Sequence, residues 1–355
     1  MRIIQLLPTL SYGDGVGNDT LAIDQIIKEL GYETKIYAEN IDSRIEKGIA
    51  EKAEKMPQPD PNDTILYHLS TGTALNDKLK DFPCKKLIIY HNITPAHFFK
   101  EYSRISYDLC ESGRAAISQL KEAADYCWAD SGYNRQELLE NGYSCNIDVV
   151  PIVIPFKDYE TEPDKAILKK YRDDWVNLVF VGRISPNKKQ EDIIKTFYYY
   201  KKYINPKSRL FLVGSYSGTE RYYERLCRYV TELKLEDVHI TGHIKFKEIL
   251  SYYHLADVFL CMSEHEGFCI PLLEAMYFKI PIVAYAYTGV KETLADAGLK
   301  FTEKNCKVAA EMIRMIVEKN DLRDTIIKTQ NIRLKDFAYE KTKEKIVSCL
   351  KGFIE

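Results

Sequence analysis

No stretch of this 355-residue chain approaches the ~18 apolar residues that would mark a bilayer-spanning helix. The apolar start Met1-Arg2-Ile3-Ile4-Gln5-Leu6-Leu7 meets Pro8 too soon for the core of a signal peptide. Both absences predict a cytoplasmic protein. No Cys-x-x-Cys pair occurs among the nine cysteines, which lie scattered at 84, 110, 127, 145, 227, 261, 269, 306 and 349; they read as reduced thiols, neither bridged nor zinc-bound. Excess charge is also missing. Fifty Lys+Arg against 52 Asp+Glu leave −2, which argues against a nucleic-acid partner. No Walker A lysine follows a glycine loop, no strict Gly-x-Gly-x-x-Gly occurs, and no Gly-x-Ser-x-Gly elbow is present. His265 beside Glu266 lacks a second histidine at zinc-site spacing, so no protein-bound metal is expected.

What is present is an ordinary globular balance, 45% hydrophobic and 29% charged, in a chain long enough for two domains. Charge divides unevenly: residues 1–150 hold 16 Lys+Arg and 23 Asp+Glu, net −7, leaving 34 and 29, net +5, for residues 151–355. An anionic ligand should therefore be held mainly by the second half.

Short apolar runs alternate with amphipathic stretches through both halves. Strands are predicted at Arg2–Leu7, Glu33–Ala38, Thr64–Leu69, Lys86–His91, Tyr126–Ala129 and Asp148–Val150, then at Val176–Val181, Leu210–Val213, Val238–Ile240, Val258–Met262 and Pro281–Ala284. Helices are expected between most of them, among them Leu21–Leu30, Ala96–Glu122 and Ile270–Phe278. This α/β alternation predicts two doubly wound, Rossmann-like parallel sheets facing a cleft. The expected boundaries are 1–155 for an acceptor-binding domain, 156–175 for a linker, 176–335 for a donor domain, and 336–355 for a helix returning to the first domain.

The most informative stretch runs from Ser263 to Met276. A buried strand ends there in a polar turn, and Pro271 opens a helix. Glu266 and Glu274, eight residues apart, bracket that helix N-terminus, which favours a phosphate, while the carboxylates suit neutral hydroxyl groups. Arg183 and Lys188 follow strand Val176–Val181 in Gly182-Arg183-Ile184-Ser185-Pro186-Asn187-Lys188, where open α/β sheets bind ligands; two cations suit a diphosphate leaving group. Gly15 and Gly17 lie in the glycine-rich stretch 11–20, and His68 and His91 end strands of the first half. Gly214 and the Thr241-Gly242-His243-Ile244 turn would frame a flat base. Each of these features taken singly also serves as an ordinary strand-to-helix turn.

Together, Gly182-Arg183-x4-Lys188, Gly214, Gly242, Ala256-Asp257-Val258-Phe259-Leu260-x-x-Ser263, Glu266-Gly267-Phe268-x-x-Pro271-x-x-Glu274-Ala275 and Thr288-Gly289-x-x-Glu292 resemble the retaining family-4 glycosyltransferases of GT-B fold (glycosyl transferases group 1). The resemblance implies metal-independent, cofactor-free transfer of a hexose from a UDP- or GDP-linked donor, with mannose as one candidate. The acceptor would be a sugar or lipid-linked sugar in polysaccharide or glycolipid assembly, the latter bringing peripheral contact with the inner face of a membrane. It implies that Arg183 and Lys188 hold the diphosphate. Glu266 reads the sugar with Gly267, Phe268, Cys269 and Ile270 beside it, Glu274 binds ribose, His91 touches the sugar, and Gly15 or Gly17 touches phosphate or acceptor. Cys269 stands where the family often has glycine. Three other readings stay open: a dinucleotide oxidoreductase, a non-catalytic nucleotide-sugar binder, and an enzyme or phosphorylase using a soluble sugar phosphate.

Overall fold

The computed structural model describes residues 1–11 and 13–354; Tyr12, in the glycine-rich stretch, and Glu355, at the end of the predicted tail, lie outside the described residues. The chain divides into two compact units: unit 1 holds Met1–His97, Ser106–Pro155 and Phe337–Glu355, and unit 2 holds Phe98–Ile105 and Phe156–Asp336.

Unit 1 is built on β1 (Arg2–Leu10), β2 (Glu33–Ile41), β3 (Ala50–Lys52), β4 (Thr64–Leu69), β5 (Lys85–Tyr90), β6 (Tyr126–Ala129) and β7 (Asn146–Val149). They form one parallel sheet in the order β3-β2-β1-β4-β5-β6-β7. The inner strands carry near-continuous apolar runs because helices cover both faces, and every residue of β4 is buried. On one face Ile23, Ile26 and Ile27 of helix Gly15–Glu29 pack with Ile3, Leu66, Leu87 and Trp128; Ile346 and Leu350 of the tail helix Tyr339–Ile354 join the same core. Ion pairs Lys343–Glu29 and Lys345–Asp148 flank the tail helix.

Two expectations about unit 1 need correcting. The first helix starts at Gly15, not Leu21: the Asp14 carboxylate accepts from Gly17 N at 2.6 Å and caps it. Gly17 is glycine because a Cβ there would lie 2.2 Å from Ser11 O, so backbone packing accounts for it. The long helix expected over 96–122 is instead a 3-10 turn, Ala96–Phe99, followed by helix Arg104–Gln119.

Unit 2 carries β8 (Val176–Val181), β9 (Ser208–Val213), β10 (Val238–Ile240), β11 (Val258–Cys261), β12 (Ile282–Tyr285) and β13 (Leu299–Phe301), parallel in the order β10-β9-β8-β11-β12-β13. Residues 156–175, expected as a linker, are instead part of this unit. They form a 3-10 turn, Phe156–Glu160, and a helix, Lys165–Tyr171, and they stay folded because Tyr159 is buried among aromatic rings and Tyr171 packs edge-on to Phe211.

Candidate active site

In both sheets the first strand lies between two neighbours whose connections run in opposite directions, β1 between β2 and β4 and β8 between β9 and β11. The C-terminal edge at such a reversal is where open α/β sheets place ligands. In unit 2 that edge collects four of the expected residues on adjacent segments: Arg183 and Lys188 after β8, and Glu266 and Glu274 after β11.

The loop after β11 is stitched to the turn after β8. Glu264 N donates to Asn187 O at 2.8 Å, and Asn187 Nδ2 donates to His265 O at 3.0 Å. Glu264 accepts from Lys304 at 2.9 Å and pairs with Lys189 at 3.2 Å. From the other side Thr288 Oγ1 accepts from Glu266 N at 3.1 Å, and Gly289 N donates to Glu266 O at 2.9 Å. Gly289 permits this approach: a Cβ there would sit 2.3 Å from Gly267 O. Gly214 plays the same part at the other edge, where a Cβ would meet Gly182 O at 2.1 Å, and it bridges to Gly242.

Held in this frame, Lys188 Nζ donates to Glu266 Oε2, with the ammonium side chain 21% and the carboxylate side chain 7% exposed. Burial opposes the Lys188 charge, yet the Glu266 carboxylate outweighs it and keeps the ammonium above its ordinary pKa. One N–H is spent on Glu266 out of the three an ammonium offers. Arg183 is exposed at the end of β8, with its carbonyl accepting from Gln190 at 2.9 Å.

Helix Ile270–Tyr277 begins beside this pair, with Cys269 as its N-cap at φ 71°, a left-handed conformation that suits glycine. Cys269 is 7% exposed, and the neighbouring Cys261 thiol together with burial holds its thiol well above the ordinary range. Glu274, on the second turn, accepts from Tyr159 OH at 2.8 Å on Oε1 and from Tyr253 OH on Oε2. Its carboxyl is raised by burial against the lowering effect of both phenols. Neither tyrosine was among the expected site residues: Tyr159 fell in the supposed linker, and Tyr253 looks like helix packing in the sequence. His243 is exposed and Ile244 half-buried after β10. Ile244 and Thr241 also line a cavity of about 530 Å³ along β10, with Val238, His239 and Tyr252.

In unit 1 the expected site residues meet differently. His91 Nδ1 lies 3.1 Å from Asp130 Oδ2, and His91 Nε2 lies 2.8 Å from His68 Nδ1, with the His91 side chain only 1% exposed. Both ring nitrogens of His91, expected to touch the sugar, are thus engaged by buried neighbours within unit 1. Proton placement follows from Gln5. Its Nε2 donates to Thr20 O at 3.0 Å, so its Oε1 faces His68 Nε2, also at 3.0 Å, and fixes the proton there. His68 Nδ1 is then an acceptor, and His91 Nε2 must donate. Burial holds His68 well below its ordinary pKa, while His91, despite burial, is raised by Asp130. Asp19 joins the group, and ligand atoms of Asp19, His68 and His91 lie within 4.8 Å of one another. The rings, 5.1 Å apart and within 1° of parallel, meet edge to edge. A 2.8 Å separation there is a hydrogen bond's.

Two Rossmann-like units with the second sheet's ligand edge lined by cations and carboxylates define the GT-B class of fold, and solved structures agree. Across 99% of this chain and 100% of the other, Anabaena HepE in complex with UDP and glucose matches with a TM-score of 0.76 at 18% identity. Sucrose-phosphate synthase from Thermosynechococcus elongatus matches with 0.75 at 18%, over 99% of each chain. Residues 160–332, just under half of the chain, match the model of glycosyl transferases group 1. A trehalose synthase of Thermococcus litoralis is 27% identical over 203 residues, 55% of this chain and 46% of the relative. The D-inositol 3-phosphate glycosyltransferase of Kineococcus radiotolerans is 27% identical over 190 residues, 51% and 44%. An O-antigen chain mannosyltransferase B of Escherichia coli is 23% identical over 221 residues, 62% and 55%. The chain thus spans about half the length of the curated relatives it matches. No helix among the described residues is long and apolar enough to cross a membrane.

Proposed function

We propose that the chain transfers a hexosyl group, with retention, from a nucleoside-diphosphate sugar to a hydroxyl acceptor. The observation that carries this reading is the Lys188–Glu266 pair set beside the N-terminus of helix Ile270–Tyr277, with Glu274 on the same helix. In this reading Lys188 keeps two N–H groups for diphosphate oxygens, and Arg183 adds a planar fork from the rim. Both hold tighter as negative charge grows on the departing diphosphate, so no Lewis acid is required of the protein. Glu266 accepts from sugar hydroxyls while ordering Lys188. The backbone amides of Phe268, Cys269 and Ile270 contribute the helix N-terminus, and Gly182, Gly214 and Gly267 keep side chains out of the way. The acceptor attacks on the face the diphosphate leaves, and a phosphate oxygen of that leaving group takes the acceptor's proton. No protein nucleophile enters.

Unit 2 is then the donor half and unit 1 the acceptor half. The net +5 of residues 151–355 supports that division. The Anabaena structure with UDP and glucose makes UDP-glucose the first donor to try, with GDP-mannose second because of the mannosyltransferase relative. The acceptor is a sugar, free, phosphorylated or lipid-linked. A thermal-shift series with UDP, GDP, ADP and CDP tests the donor site: a ligand at ~100 times its Kd adds ~2.7 kcal/mol, a clear rise in Tm. A flat response to all four, in a folded protein, removes the reading.

A further inference from the structure

Glu274 is an unusual carboxylate for a purely structural part. It is half-buried, no Lys or Arg pairs with it among the described residues, and its two hydrogen bonds come from neutral phenols. A carboxylate offers about four lone-pair sites, two on each oxygen. Tyr159 takes one on Oε1 and Tyr253 one on Oε2, so each oxygen keeps one acceptor site. Two acceptor sites on adjacent oxygens are what a vicinal diol needs, one for each hydroxyl. A lysine or arginine in place of the phenols would occupy those sites and neutralise the acceptor; tyrosines orient it and leave it anionic.

The phenols are themselves fixed. Tyr159 is 7% exposed and packs with Phe156, Tyr277, Phe246 and Phe278 at centroid distances of 5.9, 5.4, 5.9 and 6.0 Å. Tyr253 is 2% exposed and lies flat on Phe278, 5.0 Å away. Neither hydroxyl can swing without displacing an aromatic ring, so the carboxylate plane is set from outside the helix that carries Glu274.

We propose that Tyr159 and Tyr253 are positioning residues that aim Glu274 at a ribose diol and thereby set selectivity for ribonucleoside over 2′-deoxyribonucleoside diphosphates. The proposal rests on the donor-site reading above and deepens it. Its reach is specific: the phenols act through Glu274 and touch no reacting atom.

The test is calorimetric titration of the full chain with UDP, GDP and their 2′-deoxy counterparts. Wild type should prefer the ribo form of whichever diphosphate binds by about tenfold or more, a single well-placed hydrogen bond to a charged acceptor. Tyr253→Phe and Tyr159→Phe should each erode that preference, and the double variant should bring it below about threefold, with the deoxy form bound as in wild type. Glu274→Gln should do the same while leaving both tyrosines in place. A preserved ribo preference in a folded double variant overturns the proposal, as does equal weakening for ribo and deoxy forms, which is what a merely structural role predicts. Binding of none of the four ligands by wild type overturns the donor-site reading and the proposal with it, an outcome distinct from either of these.

Discussion

The two sheet edges hold similar residue types and use them in opposite ways. At the ends of β4 and β5, the histidines of unit 1 spend both ring nitrogens on buried neighbours: His68 with His91 and Gln5, and His91 with His68 and Asp130. After β8 and β11, those of unit 2 pair yet keep capacity, with two N–H groups on Lys188 and two acceptor sites on Glu274. A histidine at a strand's C-terminal end is therefore not by itself a ligand group. The distinction is a count of donors and acceptors left over: the two histidines of the first edge have no ring nitrogen to spare, whereas Lys188 and Glu274 at the second keep capacity.

The largest expected effects lie in unit 2. Lys188→Ala should lower kcat by about 10²–10³, as loss of one preorganised charge contact to a developing anion does, with nucleoside-diphosphate affinity changed less. Glu274→Ala should do the reverse, weakening nucleoside-diphosphate binding by about tenfold or more through charged hydrogen bonds while kcat at saturating donor changes less. Steady-state kinetics beside titration calorimetry separates the two. Equal, small effects from both would erase the contrast between the edges.

Unit 1 should respond in stability and not in nucleotide affinity. Arg2 pairs with Asp63 at 2.6 Å, and Arg2 N also donates to that carboxylate at 2.8 Å, at the end of β1 away from the histidines. Hydrogen bonding to Arg2 draws Asp63 down to about 2. A carboxylate lowered in the folded state stabilises above its unfolded pKa of ~3.9, and that contribution fades as pH falls toward 2. Asp63→Asn should accordingly cost about 2 kcal/mol in denaturant unfolding at pH 7, with the gap to wild type closing between about pH 4 and pH 2. UDP and GDP titrations should not change. A shift in nucleotide affinity would place unit 1 charges in the binding site and break the comparison.

Much of this was legible in the chain. Apolar runs such as Thr64–Leu69 and Val176–Val181 appear as strands at the predicted residues, because a doubly covered parallel sheet leaves a near-continuous apolar signature. The missed strands, Ala50–Lys52 and Leu299–Phe301, are three-residue strands with no run to detect. The helix start at Gly15 was hidden because two glycines read as loop until the Asp14 cap and the Ser11 contact are seen. The Ser263–Met276 stretch pointed to Glu266 and Glu274, since both carboxylates and the helix between them are local. Their partners were not legible: Tyr159 lies 115 residues from Glu274, and His68 lies 23 from His91, separations at which only tertiary packing decides who meets whom.

The smallest expected effect concerns Cys269, which sits at the second edge in a backbone conformation suited to another residue. At φ 71° a side chain costs roughly 1 kcal/mol that glycine avoids. The side chain is also buried, so Cys269→Gly alone mixes strain relief with lost packing. Comparing Cys269→Gly with Cys269→Ala removes the ambiguity: both lose the sulfur, and only alanine keeps the Cβ and its strain. Glycine should be the more stable of the two by about 1 kcal/mol in denaturant unfolding, with UDP or GDP affinity the same in both. If alanine proves equal or better, the left-handed turn is not strained, and the sugar-side geometry of this edge is set by packing around residue 269 instead of by its backbone.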